Sequence, residues 1–235
     1  MIPEVIILAG GLGTRLKPIL QDTPKPMALI RGKPFLGYIL DQIREWGIHR
    51  VILSVGYQYQ DIQSFFSTRQ GEVEIIYSIE NELLGTGGGI LNALDRTIGN
   101  DVLVLNGDSM YRIGLQSFVE FHTARHASMS IALLHKAETH RYGLVELNDQ
   151  QQVTGFTEKN RISGGGWING GIYMINRDFF RQHSPGERFS LEKDFFPRCV
   201  HTKQIYGYPA NGYFIDIGTP ESLKRAQHEF EQFEH

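Results

Sequence analysis

Hydrophobic and polar positions alternate between two patterns through the first half of the chain. The segments EVIILA, RVILSV, EIIYSI and DVLVLNGD contain apolar runs of strand length. Between them, PFLGYILDQIREWG and TGGGILNALDRTI repeat apolar residues at intervals of three and four, which is typical of helices. This order predicts buried parallel strands flanked by helices.

The helix predicted over PFLGYILDQIREWG has a defined buried face. Phe35, Ile39, Ile43 and Trp46 fall on one side of it, and Pro34 stands where a first helical turn tolerates proline. We expect these residues to build the core rather than to take part in chemistry.

The second half has a looser pattern. A helix is predicted over residues 114–125, followed by a strand MSIALL and shorter strands YGLVEL, QVTGFTE and GGIYMI. The segment GYFIDIGTPESLKRAQHEFEQF predicts a strand, a turn and an amphipathic helix, and residues 163–167 (SGGGW) predict a mobile loop. We therefore expect one α/β domain over residues 1–235, with a Rossmann-like, mixed, mostly parallel sheet and a ligand over the strand ends.

The amino-acid composition argues against nucleic acid and membranes as binding partners. The chain has 235 residues, 23 basic and 26 acidic, and a formal net charge of −3. It contains no basic stripe for nucleic acid and no polybasic segment for a membrane surface. The single cysteine, Cys199, excludes an intrachain disulfide, and the N-terminal apolar run is too short for a signal peptide or membrane span. A cytoplasmic location is the expectation.

The stretch ILAGGLGTRLKPILQDTPKPM follows the first predicted strand and contains a glycine loop. A dinucleotide fingerprint would need a glycine at Leu16, and the P-loop pattern is absent. A tight turn remains an alternative. The donors of Arg15 and the charge of Lys25, which lies between two prolines, favour a polyphosphate ligand.

Two aspartates end or interrupt apolar strands. Asp108 closes VLVLNGD, where it is either a metal ligand or the cap of the next segment. Asp216 lies between Ile215 and Ile217, where an ionised carboxylate is costly without a partner. Two carboxylates on one Mg²⁺ would account for both positions.

Other candidate groups carry less specific signals. The loop ENELLGTGGGIL also fails the dinucleotide spacing, and Glu80 is either a solvated carboxylate or an acceptor for the N1–H and N2–H₂ groups of guanine. His122 and His126 are four apart on a predicted helix, but no third metal ligand accompanies them. Cys199 among apolar residues is expected to be a small buried hydrophobe.

Taken in order, these motifs resemble the sugar-1-phosphate nucleotidylyltransferase family, whose signature is a glycine loop ending in G-T-R followed by P-K. The resemblance implies Mg²⁺ as cofactor and a nucleotide-diphospho-sugar transferase fold, here without a C-terminal β-helix. It also implies a nucleotide-binding half over about residues 1–110 and a sugar-phosphate half over about 111–235. The implied catalytic residues are Arg15, Lys25, Asp108, Lys159 and Asp216, with Asp108 and Asp216 on the metal. The implied nucleotide-binding residues are Leu8, Ala9, Gly10, Gly11, Gly13, Thr14, Arg15, Glu80, Gly85, Thr86 and Gly107. The implied sugar-phosphate residues are Gly143, Glu158, Lys159, Asn169 and Gly170.

Within that family, the segments KPMALIRGKPFLGYIL, ENELLGTGGGIL and WINGGIYMINRDFF look most like the heptose 1-phosphate guanylyltransferases. That resemblance implies GTP and a heptose 1-phosphate as substrates, and family members are commonly dimers or tetramers, so a homodimer is expected. The alternatives are a uridylyltransferase for an N-acetylhexosamine or muramic acid 1-phosphate, and a mannose-1-phosphate guanylyltransferase. A non-catalytic, nucleotide-sugar-binding regulatory subunit is a further alternative of a different class.

Overall fold

The computed structural model describes residues 4–11, 13, 16–21, 23–139, 142–157 and 164–233. Its strands are β1 Glu4–Leu8, β2 Leu29–Ile30, β3 Lys33–Pro34, β4 Arg50–Val55, β5 Arg69–Gln70, β6 Val73–Ile79, β7 Asp101–Asn106, β8 Ser109–Tyr111, β9 Met129–Lys136, β10 Leu144–Leu147, β11 Val153–Thr157, β12 Gly166–Asn176, β13 Ile205–Pro209 and β14 Phe214–Asp216. Its α-helices are α1 Lys17–Leu20, α2 Phe35–Glu45, α3 Tyr59–Phe66, α4 Gly85–Ala93, α5 Leu115–Ala124, α6 Arg177–His183, α7 Phe196–Cys199 and α8 Pro220–Glu229.

One 10-stranded sheet organises the chain, in the order β11-β10-β12-β7-β1-β4-β6-β5, with β9 beside β12 and β13 beside β9. Strands β7, β1, β4 and β6 are parallel to one another, whereas β12 runs antiparallel to β7, β9 and β10. The prediction of a mixed α/β sheet with a parallel centre is confirmed.

The two faces of the sheet carry two separate cores, because side chains alternate across each strand. Val5 and Ile7 of β1 belong to one core together with Phe35 and Ile39 of α2. Ile6, between them, belongs to the other core with helix α4 and the aromatic segment around residues 179–196. The predicted core face of α2 is thereby confirmed.

A small antiparallel ribbon outside the main sheet joins the segment after β13 to the segment after β7. Strand β14 pairs with β8, and Asp216 is opposite Ser109 in that register. The buried side chain of Gln42 donates from Nε2 to the carbonyl oxygen of Tyr111 at 2.8 Å, which fixes the end of β8 against helix α2. The ribbon therefore places Asp216 opposite Ser109, the residue that follows Asp108.

Three sequence expectations have clear outcomes. Gly166 and Trp167 form the start of β12, so the prediction of a mobile loop over residues 163–167 is wrong there, and Ser163 lies outside the described residues. His126 follows the end of α5 with a φ of 48°, so it does not share that helix with His122. Cys199 is fully buried, as expected, and burial raises the pKa of its thiol to about 11.

Candidate active site

A cleft of about 950 Å³ lies across the carboxyl ends of the parallel strands. It is bordered by the loop after β1, the residue after β6 and the residues after β7. This is the edge of an open α/β sheet at which ligands bind. The glycine-loop residues that border it are Leu8, Ala9, Gly10, Gly11 and Gly13.

The glycine loop turns back toward Lys25. Gly13 has a φ of +57°, and a Cβ atom on it would lie 3.1 Å from the Cβ atom of Lys25, so both the backbone angle and the space favour glycine. Lys25 opens a short 3₁₀ turn over Lys25–Met27, preceded by Pro24. This turn places Lys25 directly beside Gly13 of the glycine loop.

Lys25, Asp108 and Asp216 meet in the cleft. The Lys25 ammonium group donates to Oδ2 of Asp108 at 2.6 Å, and the lysine side chain is only 12% exposed. The backbone N–H of Ile217 donates to the carbonyl oxygen of Asp108 at 3.0 Å, which fastens the two acidic segments together. The fold thus brings Lys25 together with Asp108, 83 positions later in the chain, and with the segment that contains Asp216.

The oxygen donors at this point suit a magnesium ion. Asp216 accepts from the hydroxyl of Tyr142 at 2.7 Å and from the N–H of Gly218 at 3.0 Å, which orients its carboxylate. Both aspartates border the cleft, and Asp108 already pairs with a cation in the form of the lysine ammonium. Mg²⁺ is held in proteins by one or two carboxylates together with substrate phosphates and water. Within the described part of the chain, no group of three or more ligating side chains exists, so substrate oxygens would have to complete the coordination.

Glu80 faces the same cleft from the end of β6. Its Oε1 accepts from the hydroxyl of Ser54 at 2.8 Å, and its Oε2 accepts from the N–H of Leu84 at 3.2 Å. Cβ atoms on Gly10 and Gly89 would lie 2.9 and 2.8 Å from Oε1, so both glycines make room for this carboxylate. Burial raises the pKa of Glu80, and the two hydrogen bonds oppose that rise.

The second glycine loop, which contains Gly85 and Thr86, opens helix α4 beside the cleft. The carbonyl oxygen of Phe189 accepts from the N–H groups of Gly87 and Gly88 at 3.0 and 3.3 Å. Two of the first helical N–H groups are therefore satisfied by the protein itself, and this helix start is not arranged to hold a phosphate.

The sugar-binding residues implied by the sequence are only partly assembled in the described structure. Asn169 and Gly143 border the cleft, and the amide of Asn169 donates to the hydroxyl of Tyr173 at 2.7 Å. Asn169 lies where the pairing of β12 with β9 shifts register, which turns its side chain into the cleft region.

Two glycines predicted to bind substrate, Gly107 and Gly170, are tightly packed against neighbouring residues. A Cβ atom on Gly107 would lie 2.5 Å from the carbonyl oxygen of Leu8, and one on Gly170 would lie 2.5 Å from the Tyr111 ring. Neither residue borders the cleft, so their roles in binding stay predictions. The predicted residues Thr14, Arg15, Glu158 and Lys159 lie outside the described residues, so their roles stay predictions.

Several side chains at the cleft were not singled out by sequence reasoning. Tyr142 holds Asp216, and Ser54 holds Glu80. Ser54 had a signal, because it is a polar residue inside the apolar run RVILSV. Glu192 and Lys193 also border the cleft, on a segment that lacked any recognisable motif.

Comparison with known proteins agrees with this geometry. The model of the nucleotidyl transferase family matches residues 4–232, which is almost the whole chain. The chain belongs to the nucleotidyl transferase family. The resemblance inferred from the glycine loop, Lys25 and the two aspartates is confirmed at the level of the family.

Two characterised members of the nucleotidyl transferase family are similar over nearly their full lengths. The D-glycero-α-D-manno-heptose 1-phosphate guanylyltransferase of Aneurinibacillus thermoaerophilus is 42% identical over 230 residues, covering 98% of this chain and 99% of that enzyme. The enzyme of the same name from Campylobacter jejuni is 40% identical over 218 residues, covering 93% and 96%.

A solved structure has the same fold. HddC from Yersinia pseudotuberculosis, in a crystal structure with GMP-PN, superposes with a TM-score of 0.85 at 35% identity, covering 97% of this chain and 99% of that one. Among the helices in the described residues, none is long and apolar enough to cross a membrane.

Proposed function

We propose that the chain transfers the guanylyl group of GTP to D-glycero-α-D-manno-heptose 1-phosphate, forming GDP-heptose and pyrophosphate. The observation that carries the proposal is the meeting of Lys25 with Asp108 and Asp216 at one end of the cleft, with Glu80 also on its border. The similarity to two heptose 1-phosphate guanylyltransferases supports the choice of substrates.

The chemical step is a displacement at the α-phosphorus of GTP. A phosphate oxygen of the sugar 1-phosphate forms the new bond, the bond between the α-phosphorus and the bridging oxygen breaks, and pyrophosphate leaves with that electron pair. The attacking oxygen is already anionic, so no general base is required. Positioning and charge stabilisation are the tasks left to the protein.

We assign these tasks to the residues around the cleft. Lys25 stabilises the charge at the α-phosphoryl group, Arg15 and the amides of the glycine loop hold the departing pyrophosphate, and Lys159 holds the acceptor phosphate. Asp108 and Asp216 would hold Mg²⁺, with Tyr142 fixing the orientation of Asp216. When bound, that ion supplies charge neutralisation between the two anionic substrates.

Glu80 supports guanine as the base. A carboxylate can accept two parallel hydrogen bonds, and the N1–H and N2–H₂ groups of guanine are two adjacent donors. Uracil offers a single N–H between two carbonyl oxygens, which the carboxylate would repel. Ser54 and Leu84 hold the Glu80 carboxylate for this contact.

We extend the assignment to the two halves of the domain. The nucleotide is bound mainly by residues 1–110, which supply the glycine loop, Lys25 and Glu80. The sugar phosphate is bound mainly by residues 111–235, where Gly143 and Asn169 border the cleft. The cleft lies over the ends of β1 and β7, where the order of the parallel strands reverses, and this location supports the division.

A substrate panel tests the proposal. Four nucleoside triphosphates are each combined with heptose, mannose and glucose 1-phosphates, and pyrophosphate release is measured. GTP with the heptose 1-phosphate should give the highest kcat/KM. Preference for UTP or a hexose phosphate would contradict the substrate assignment. No release from any pair, together with tight binding of a nucleotide sugar by calorimetry, would instead identify a regulatory subunit.

A further inference from the structure

Glu192 is a carboxylate in the wall of the cleft to which the function above gives no role. It belongs to the short segment over residues 189–195, which includes a π-helical turn, Leu191–Phe195. Ser190 and Lys193 of the same segment also border the cleft. π-Helical turns are rare and occur frequently at functional sites.

The Glu192 side chain is held on one side by two hydroxyl groups. Its Oε2 accepts from the hydroxyl of Thr86 at 3.0 Å and from that of Ser190 at 2.9 Å. Thr86 in turn accepts from the N–H of Leu191 at 2.8 Å, and Ser190 accepts from the N–H of Lys193 at 3.2 Å. The carboxylate is therefore oriented before any ligand binds, and a carboxylate has further lone pairs with which to accept hydrogen bonds.

The charge of Glu192 acts on Tyr173 in the sugar-binding half. Burial raises the pKa of the Tyr173 hydroxyl, and the negative charges of Glu192 and Asp108 raise it further. The same hydroxyl accepts from Asn169 at 2.7 Å. Glu192 is therefore bonded to Thr86 of the nucleotide half and borders the cleft that it shares with Asn169 of the sugar half.

The charge of Glu192 limits what it can bind. A carboxylate repels phosphate groups, so the groups that it binds on these anionic substrates must be hydrogen-bond donors. The guanine donors are assigned to Glu80 at the end of β6, which leaves hydroxyl groups. The hydroxyls of the sugar 1-phosphate fit best, because Glu192 belongs to the sugar-binding half and shares the cleft with Asn169, the residue assigned to the sugar.

We infer that Glu192 is a sugar-recognition residue, whose carboxylate accepts hydrogen bonds from hydroxyl groups of the sugar 1-phosphate, and that Thr86 is a positioning residue that orients it. The inference rests on the proposed nucleotidyl transfer to a sugar 1-phosphate. It gives the second glycine loop a role in the sugar site in addition to the nucleotide site.

The substitution Glu192→Gln tests the first part. Glutamine keeps an acceptor oxygen for Thr86 and Ser190 but removes the charge. We expect the KM for the sugar 1-phosphate to rise by about 10-fold to 100-fold, since hydrogen bonds to charged groups contribute more than neutral ones. The KM for GTP should stay unchanged. The matched control is Glu187→Gln, an exposed carboxylate of the preceding loop that does not border the cleft, and it should leave both constants unchanged.

Two outcomes would overturn the inference. An unchanged KM for the sugar 1-phosphate would mean that Glu192 only holds Thr86 and Ser190 in place. A raised KM for GTP alone would mean that Glu192 binds the ribose of the nucleotide. Failure of the proposed function is seen separately, because the wild-type protein would then release no pyrophosphate with any substrate pair.

A pair of substitutions at Thr86 tests the positioning role. Thr86→Val removes the hydroxyl that bonds Glu192 and Leu191, and it should raise the KM for the sugar 1-phosphate with little change in kcat. Thr86→Ser keeps the hydroxyl and should restore the wild-type KM. Equal losses in both variants, or a rise confined to the KM for GTP, would contradict the role.

Discussion

The ammonium group of Lys25 lies 2.6 Å from a carboxylate oxygen of Asp108, although 83 residues separate them along the chain. The pair lies at the edge where the parallel strands end, and Ile217, the neighbour of Asp216, is bonded to the backbone of Asp108. In the proposed reaction the lysine must exchange this partner for the α-phosphoryl group, and the carboxylate of Asp108 would then be available to hold Mg²⁺. The pair therefore keeps each charge compensated when substrate is absent.

Replacement of Lys25 should affect the chemical step most. Lys25→Ala is expected to lower kcat by about 10²-fold to 10³-fold, because removal of one preorganised donor at a reacting group typically has an effect of that size. Steady-state pyrophosphate release measures the effect. Lys224→Ala, on an exposed position of α8, is the control and should retain full activity. A turnover of Lys25→Ala within a few-fold of the wild type would exclude the proposed role.

Asp108 and Asp216 should act as one unit. If both hold the same Mg²⁺, Asp108→Asn and Asp216→Asn should each raise the Mg²⁺ concentration needed for half-maximal activity. The double variant should then lose little more activity than either single variant, because residues that share one partner are not additive. Titration of activity with MgCl₂ measures this. Losses that simply multiply would indicate two independent roles, and Asp149→Asn on an exposed turn serves as the control.

The raised pKa of Glu80 predicts a pH effect on stability. Because burial raises the pKa of Glu80 above its unfolded value, the folded state binds the proton more tightly. Ionisation of Glu80 therefore costs stability as the pH rises through the window between the unfolded and folded pKa values. The free energy of unfolding of Glu80→Gln, measured by urea titration, should gain on that of the wild type from about pH 4 upward. A difference that is constant with pH would contradict the raised pKa.

Cys199 should be unreactive in the folded protein. Its thiol is fully buried, and burial raises its pKa to about 11, so little thiolate forms near neutral pH. A thiol reagent such as DTNB should react slowly with the native protein and rapidly in denaturant. The chain has one cysteine, so the released chromophore reports this residue alone. Rapid reaction under native conditions would contradict the burial.

Much of the fold was predictable from local pattern. The four apolar runs of the first half became β1, β4, β6 and β7, since continuous apolar strands are stable only when both sheet faces are covered. The segment over residues 163–167 was mispredicted, because three consecutive glycines suggested a loop whereas its last two residues pair with β9. Pairing with a partner strand overrode the local preference of glycine.

The residues of the candidate site were likewise only partly predictable from the sequence. The charged groups Lys25, Asp108 and Asp216 were visible in the sequence, because a lysine between two prolines and two aspartates at apolar strands stand out. Glu192 had no such signal, since a glutamate beside a lysine is typical of a solvated surface. Its relation to Thr86 depends on a contact between residues 106 positions apart, which no local pattern reports.

The sequence by itself determined the order of strands and helices, the position of the first glycine loop and the kinds of side chain available for catalysis. These follow from periodicity and residue chemistry, which act over a few neighbouring residues. The tertiary structure alone decided that β14 pairs with β8 and brings Asp216 beside Asp108, and that the Phe189 carbonyl satisfies the start of α4. Such choices depend on strand register and on packing between distant segments, because each is stabilised only after the whole core has formed.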